Sequence, residues 1–131
     1  MKKIVIIISG ILLFTIFTSL SAQSCDILYF CERYDTELGE INVGDRFYSG
    51  NLTVMVLLAA PIYYTKVYVQ LDKYNPRNNT FEYHMDEEFT VEPDMDYMYF
   101  NDIYFEDKGF FRVFLLDPTK NTIVSALIEI I

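Results

Sequence analysis

Hydrophobic and polar residues alternate along much of the chain beyond residue 50. In residues 63–72, Val67 and Val69 fall on one side of an extended chain, and mostly polar side chains fall on the other. A period of two is typical of a β-strand that buries one face. The same period recurs in residues 96–103 and 122–131. These three segments are predicted to be half-buried strands.

Short apolar runs and turn residues complete this pattern. Further strands are predicted at residues 51–60, 80–85, 88–91 and 110–116, with turns at residues 75–79 and 117–121. About seven short strands, roughly ten residues apart, predict an all-β antiparallel sandwich. The eleven Tyr and eleven Phe residues also favour strands over helices. No apolar period of 3.6 residues is sustained, so we expect little helix.

The first 22 residues have the pattern of a secretory signal peptide. Lys2 and Lys3 precede an uncharged, mostly apolar run over residues 4–20, and small residues follow up to Ala22. This order predicts cleavage after Ala22. The mature protein is then expected outside the cytoplasm, either secreted, periplasmic or at the cell surface.

Two other fates of this N-terminal segment stay open. An apolar run of 17 residues is near the lower length limit of a membrane-spanning helix, so the segment can also be read as a retained anchor. The other alternative is lipidation of Cys25, although Gln23 fits the usual lipoprotein pattern badly. In each case residues 23–50 are predicted to be a lead-in and loop, and residues 51–131 the core of a single domain.

The two cysteines lie close together at the start of the mature chain. A disulfide needs Cα atoms closer than about 7 Å, whereas a straight strand holds residues six apart at roughly 20 Å. Cys25 and Cys31 therefore form either a looped, disulfide-closed lead-in or an extended strand with two free thiols. We favour a structural disulfide between them, because exposed free thiols are unusual in an oxidising compartment.

Acidic residues dominate the charge of the chain. Without Lys2 and Lys3, eight basic and nineteen acidic residues give a net charge of −11. Ten of the acids lie in residues 78–107, which contain no Lys or Arg. This balance disfavours nucleic acid and anionic membranes as partners. We interpret the acidic segment as a solvated surface. The alternative is that it attracts a divalent cation or a basic partner.

A spaced motif of apolar positions followed by Asp-x-Gly occupies residues 98–113. Its members are Met98, Phe100, Ile103, Asp107, Gly109, Phe111 and Val113. This motif resembles the corner between strands E and F of immunoglobulin-like domains. The chain departs from that family at Phe111, where the family has the corner tyrosine, and at Val113, where it has the inter-sheet cysteine. The resemblance implies an immunoglobulin-like sandwich without the inter-sheet disulfide, of a kind common as accessory modules of secreted bacterial proteins.

The register implied by this resemblance predicts an apolar outer face. Phe111 and Val113 point into the core, so Phe110, Arg112 and Phe114 point outward, beside Tyr68 and Leu127. An exposed apolar patch often marks a partner surface, and we predict contact with an unidentified protein there. The alternative is that the strand at residues 80–85 or the lead-in at residues 25–34 covers this face.

The acidic segment at residues 86–107 offers a second candidate site. Its members are Asp94, Asp96, Tyr97, Tyr99 and Asp102. Flat aromatic rings beside carboxylates suit a sugar ring, and carboxylate oxygens suit Ca²⁺. No spacing here matches a calcium-binding loop, and tyrosines on strands often only fill the sheet surface. A calcium- or carbohydrate-binding module is therefore the alternative function.

Catalysis is not indicated by the sequence. His84 is the only histidine, and no Ser or Cys has a context that would activate it as a nucleophile. No cofactor or metal site is predicted beyond the calcium alternative. The sequence therefore predicts a secreted, non-catalytic module that acts through protein contact or as a structural unit.

Overall fold

The computed structural model describes residues 25–131, which form nine β-strands and no helix. The strands are β1 (Ile27–Asp35), β2 (Gly39–Gly44), β3 (Arg46–Phe47), β4 (Gly50–Leu57), β5 (Lys66–Asn75), β6 (Thr80–Thr90), β7 (Tyr97–Phe105), β8 (Gly109–Leu116) and β9 (Thr122–Ile130). The prediction of an all-β chain is confirmed.

Two sheets enclose one hydrophobic core. The four-stranded sheet has the order β2-β1-β4-β7, and the five-stranded sheet has the order β3-β9-β8-β5-β6. Neighbouring strands are antiparallel except for β3 and β9, which are parallel. The largest fully buried side chains of the core include Phe30, Phe105 and Phe111. Burial of such side chains is the main contribution to the stability of a domain of this size.

The alternation in the sequence matches the inward face of the five-stranded sheet. Val67 and Val69 on β5, and Phe111 and Val113 on β8, are all 0 % exposed. These side chains pack in one core cluster with residues of the four-stranded sheet. The period of two in the sequence therefore marks the inward face of β5, and the spaced motif at residues 98–113 marks that of β8.

The segment expected to be a lead-in and loop is instead largely strand. β1 and β2 form a hairpin in which Phe30 pairs with Gly44 and Asp35 pairs with Gly39. Gly39 adopts a φ of +82° at the turn, a conformation that suits glycine. Gly39 and Gly44 therefore lie at the two ends of β2, where the sequence predicted a glycine-containing loop.

The acidic strand β6 is longer than predicted. It runs unbroken through Asp86, Glu87 and Glu88, where the sequence suggested a break between two strands. β6 lies at the edge of its sheet, so its charged side chains reach water, and such charges are common on edge strands. His84 is the extra residue of a bulge in its pairing with β5.

The predicted disulfide is wrong. Both Cys25 and Cys31 are free, the first exposed and the second buried in β1. Cys25 lies two residues before β1, and the extended strand between Ile27 and Cys31 keeps the two cysteines beyond bonding distance. The Cys31 thiol donates to the carbonyl oxygen of Arg33 at 3.3 Å, and burial raises its pKa. The protonated thiol therefore serves as a small apolar core group.

The N-terminal end of the described chain is fixed to the rest of the fold. The carboxylate of Asp26 accepts a hydrogen bond from the backbone N–H of Ala59 at 2.9 Å. The predicted signal peptide and its anchor alternative fall at residues 1–22, outside the described residues. Within residues 25–131 no helix is long and apolar enough to cross a membrane.

Candidate functional site

The four residues predicted to contact a protein lie on one outer surface. Phe110, Arg112 and Phe114 alternate with the buried residues of β8. Tyr68 lies on β5, which pairs antiparallel with β8. These four side chains therefore share the solvent side of the five-stranded sheet. We call this surface, together with Leu127 on β9, the aromatic face.

Two apolar side chains of the aromatic face are strongly exposed. Phe110 is 50 % exposed and Leu127 is 48 % exposed. Leu127 pairs with Arg112 across the two strands, so it is a diagonal neighbour of Phe110. The two side chains form an apolar patch that nothing else in residues 25–131 covers.

Cation–π contacts hold two further members of the aromatic face, Arg112 and Tyr68. The guanidinium of Arg112 lies 5.1 Å from the centroid of the Phe81 ring. The ammonium of Lys120 lies 3.8 Å from the centroid of the Tyr68 ring, and it also forms an ion pair with Asp86. Hydrogen bonding to Lys120 lowers the pKa of the Asp86 carboxyl. These contacts engage Arg112 and Tyr68 and leave Phe110 and Leu127 open to solvent.

Neither of the segments that the sequence offered as a cover lies over this face. β6 runs beside β5 in the same sheet, and β1 belongs to the other sheet. β6 instead contributes Phe81 at the margin of the face, against Tyr74 at a ring-centroid distance of 5.3 Å. Within residues 25–131, neither β6 nor β1 therefore covers the aromatic face.

Two shallow concavities adjoin Leu127. The smaller, of about 180 Å³, lies between Phe110, Asp45 and Glu129. The larger, of about 450 Å³, is lined mainly by apolar residues of β1, β2 and β9. Val43 at its rim is 54 % exposed. The apolar surface therefore continues from the aromatic face around the edge of β9.

The tyrosines of the second predicted site are partly covered. Tyr97 and Tyr99 lie on the outer side of the four-stranded sheet, each 38 % exposed. The ring of Tyr34 stacks on Tyr99 at a centroid distance of 4.1 Å. The Glu40 carboxylate accepts hydrogen bonds from the hydroxyls of Tyr97 and Tyr29, the latter at 2.5 Å. We call these four tyrosines and Glu40 the tyrosine cluster.

The tyrosine cluster shows that the β1–β2 hairpin curls over its own sheet. Strands β1 and β4 separate β2 from β7. Glu40 pairs with Tyr34 near one end of β1, whereas Tyr97 lies level with Ile27 at the other end, so a flat sheet would hold Glu40 and Tyr97 roughly 25 Å apart. Their direct hydrogen bond requires strong coiling of the hairpin. Below the cluster, Cys31 and Met55 are 0 % exposed and Thr53 is 2 % exposed. The hairpin thus creates a second, smaller core on the outer side.

Hydrogen bonding sets the ionisation of the tyrosine cluster. The hydroxyls of Tyr29 and Tyr97 lower the pKa of the Glu40 carboxyl. The bond to Glu40 in turn raises the pKa of Tyr97 to about 12. Burial, followed by the bond to Glu40, raises the pKa of Tyr29. At neutral pH the Glu40 carboxylate is therefore held by the protonated hydroxyls of Tyr29 and Tyr97.

We expect Glu40→Gln to remove an acid-sensitive part of the stability. The folded pKa of Glu40 lies below its ordinary value of 4.5, so its contribution is fully present above pH 4.5 and is lost as the pH falls through the folded pKa. The wild-type protein should be more stable than the variant at pH 7, and the difference should shrink below pH 4.5. Thermal unfolding of both proteins as a function of pH measures this difference in stability.

The matched control is Glu37→Gln, which removes the same charge from an exposed position in the same hairpin. A pH dependence of equal size in both variants would contradict the role of Glu40, because general charge effects would then explain it.

The predicted acidic ligands do not come together. Asp94 and Asp96 are exposed in the connection between β6 and β7. Asp102 lies in a bulge of β7 with a φ of +59°, beside a polar concavity of about 240 Å³ that Arg33 also lines. In the described part of the chain, no three His, Cys, Asp or Glu side chains are grouped as a metal site requires.

Sequence reasoning missed the contributions of the hairpin. Tyr34, Glu40, Val43 and Asp45 all fall in the segment that was read as lead-in and loop. A signal was present, because residues 40–43 read Glu-Ile-Asn-Val and so alternate polar with apolar. The run is four residues long, which is too short to outweigh the glycines on either side.

No protein-family model matches this chain, and no curated protein matches its sequence. The two surfaces described above differ in what they leave free. The aromatic face leaves its apolar groups open to solvent, whereas the polar groups of the tyrosine cluster bond mainly to one another.

Proposed function

We propose that this protein is a secreted, non-catalytic immunoglobulin-like module that acts through protein contact at the aromatic face. The observation that carries the proposal is the exposed pair of Phe110 and Leu127, each about half exposed, on the same outer face as Phe114 and Tyr68. Contiguous exposed apolar surface is uncommon on soluble monomers and often marks an interaction site. Aromatic and arginine side chains are also the groups that contribute most to protein interfaces.

The strand order supports the immunoglobulin-like part of the proposal. Strands β1, β4 and β7 are neighbours in one sheet, and β9, β8, β5 and β6 are neighbours in the other. In an immunoglobulin-like domain, strands A, B and E share one sheet, and strands G, F and C share the other, with C′ added in the variable type. The correspondence assigns β7 and β8 to strands E and F.

The corner motif supports the same assignment. Met98, Phe100 and Ile103 on β7 are at most 3 % exposed, and Phe111 and Val113 on β8 are 0 % exposed. The alternation of the motif thus places its apolar members in the core. At the corner itself, the Asp107 carboxylate forms an ion pair with Lys73 at 3.3 Å.

Export from the cytoplasm rests on the sequence of residues 1–22. The basic start, the apolar run and the small residues before Gln23 support cleavage after Ala22. N-terminal sequencing of the mature protein tests this part directly. A chain that begins at Gln23 agrees with it, and a chain that retains Met1 contradicts it.

The tyrosine cluster supports ligand binding less well than the aromatic face supports protein contact. A sugar that stacks on Tyr99 would have to displace the ring of Tyr34. The hydroxyl of Tyr97 is already bonded to Glu40. Because these groups satisfy each other, the cluster is best explained as packing of the hairpin against its sheet.

Site-specific photo-crosslinking in the producing cells tests the proposed function. A benzophenone side chain at position 110 should give an adduct of one defined mass, because a specific partner covers that position. The matched control is position 63, since Tyr63 is 73 % exposed and lies outside the aromatic face. Leu127→Ser should remove the adduct from position 110. Equal adducts from both positions, or none from position 110, would overturn the proposal.

A further inference from the structure

We propose that the partner adds an extended, basic segment as a further strand beside β9. This inference rests on the proposed function, because it names the class of partner for the surface next to the aromatic face. The position is the edge of the five-stranded sheet, along residues 122–127.

The free edge of β9 is hydrogen-bonded to another segment only at its C-terminal end. The N–H groups of Glu129 and Ile131 donate to carbonyl oxygens in and next to β3, at 2.9 and 2.8 Å. Backbone groups alternate in direction along a strand, so the N–H and C=O groups of Ser125 and Leu127 point to the same side. β3 has only two residues, and within the described chain no other strand pairs with β9 on this side.

The vacant part of this edge lacks the features that normally protect one. Residues 122–128 contain no charged residue and no proline, although charges and proline are the usual means of blocking an edge strand. The edge of β6 carries several acids, and the edge of β7 is interrupted by its bulge. The edge of β2 carries Glu40 and is distorted at Asn42, which has a φ of +58°. The edge of β9 is therefore the one most open to strand addition.

The larger concavity offers space for side chains of an added strand. It lies beside Ala126 and Leu127 and reaches Leu28, Phe30 and Val43 on the other sheet. Ala126 packs against the core and is only partly buried. An added strand would place alternate side chains over this apolar surface. Apolar residues in the added segment would thus complete the burial of the sandwich edge.

Charge decides between a foreign segment and a second copy of this chain. Asp45 borders both concavities and forms no ion pair within residues 25–131. A Lys or Arg on the added strand would meet this carboxylate. A second copy would bring another net charge of −11, which opposes association. The expected partner segment therefore alternates apolar and basic residues.

Amide hydrogen exchange with a synthetic probe tests this inference. The probe is a seven-residue peptide in which lysine alternates with valine and tyrosine, added at about 1 mM to detect weak binding. In the full mature protein, the amides of Ser125 and Leu127 should exchange about tenfold more slowly when the peptide is present. The same peptide with N-methyl groups on the amides that face β9 keeps its charge and side chains, and it should give no protection.

Two variants at position 125 distinguish the contribution of the backbone N–H group to binding from that of the side chain. Ser125→Pro removes an N–H group that β8 does not use, so the fold should persist, as edge strands tolerate proline there. This variant should lose peptide binding, whereas Ser125→Ala should keep it. If Ser125→Pro fails to fold, the N-methylated peptide still decides the question.

Three results of the exchange experiment would overturn strand addition. The first is unchanged exchange at both amides, and the second is equal protection by the parent and N-methylated peptides. The third is protection that grows with protein concentration in the absence of peptide, which would indicate a second copy. A photo-adduct at position 110 that survives Ser125→Pro would leave the proposed function standing while it excludes strand addition. Loss of that adduct in Leu127→Ser but not in Ser125→Pro would lead to the same conclusion.

Discussion

Replacement of Phe111 by alanine is expected to lower the free energy of unfolding by about 3–5 kcal/mol. Phe111 is 0 % exposed, and its ring lies 5.3 Å from that of Phe105 and 5.6 Å from that of His84. Removal of the ring leaves a cavity that a close-packed core fills only in part. Chemical denaturation followed by circular dichroism measures the loss.

The adjacent residue provides a matched control. Phe110 is the same residue type, one position earlier on β8, and is 50 % exposed. Phe110→Ala should lower the free energy of unfolding by less than about 1 kcal/mol. If Phe111→Ala does not fold, Phe111→Leu gives a smaller loss that can be measured. Equal losses at the two positions would contradict the register of β8.

The second large effect is expected at Met55, on the outer side of the four-stranded sheet. Met55 pairs with Tyr29 on one side and Tyr99 on the other, and it is 0 % exposed. Met55→Ala should lower the free energy of unfolding by about 2–5 kcal/mol. A sheet face without a cover would give a much smaller loss, so the experiment tests the hairpin over this face.

Leu57 is the control for Met55. It lies two residues further along β4, on the same side of the strand, but it is 42 % exposed. Leu57→Ala should lower the free energy of unfolding by about 1 kcal/mol or less. Comparable losses in Met55→Ala and Leu57→Ala would show that the hairpin does not bury this face in solution.

The regular strands could be predicted from sequence because each carries its own local signal. β5 alternates cleanly, and its inward residues are the ones that the period of two selects. β8 is apolar on both faces, so the outward position of Phe110 was predicted from the spaced motif at residues 98–113. That motif therefore located the aromatic face, although not the contacts of Arg112 and Tyr68.

The tyrosine cluster could not be predicted in this way. Glu40 and Tyr97 are 57 positions apart in sequence, and their contact depends on how strongly the hairpin coils. No local pattern encodes that coiling. The disulfide prediction failed for a related reason. It relied on compartment chemistry, whereas the extended conformation of β1 decides the distance between Cys25 and Cys31.

The bond between Asp26 and Ala59 holds the start of the described chain at one end of the sandwich. Residues before β1 leave the sandwich at the end that also holds the connections after β4, β6 and β8. If those residues were attached to a membrane, the strands would stand upright on it, with the turn at residues 75–79 farthest away. The open edge of β9 runs along this upright axis. It would therefore face sideways, toward neighbours that share the same membrane.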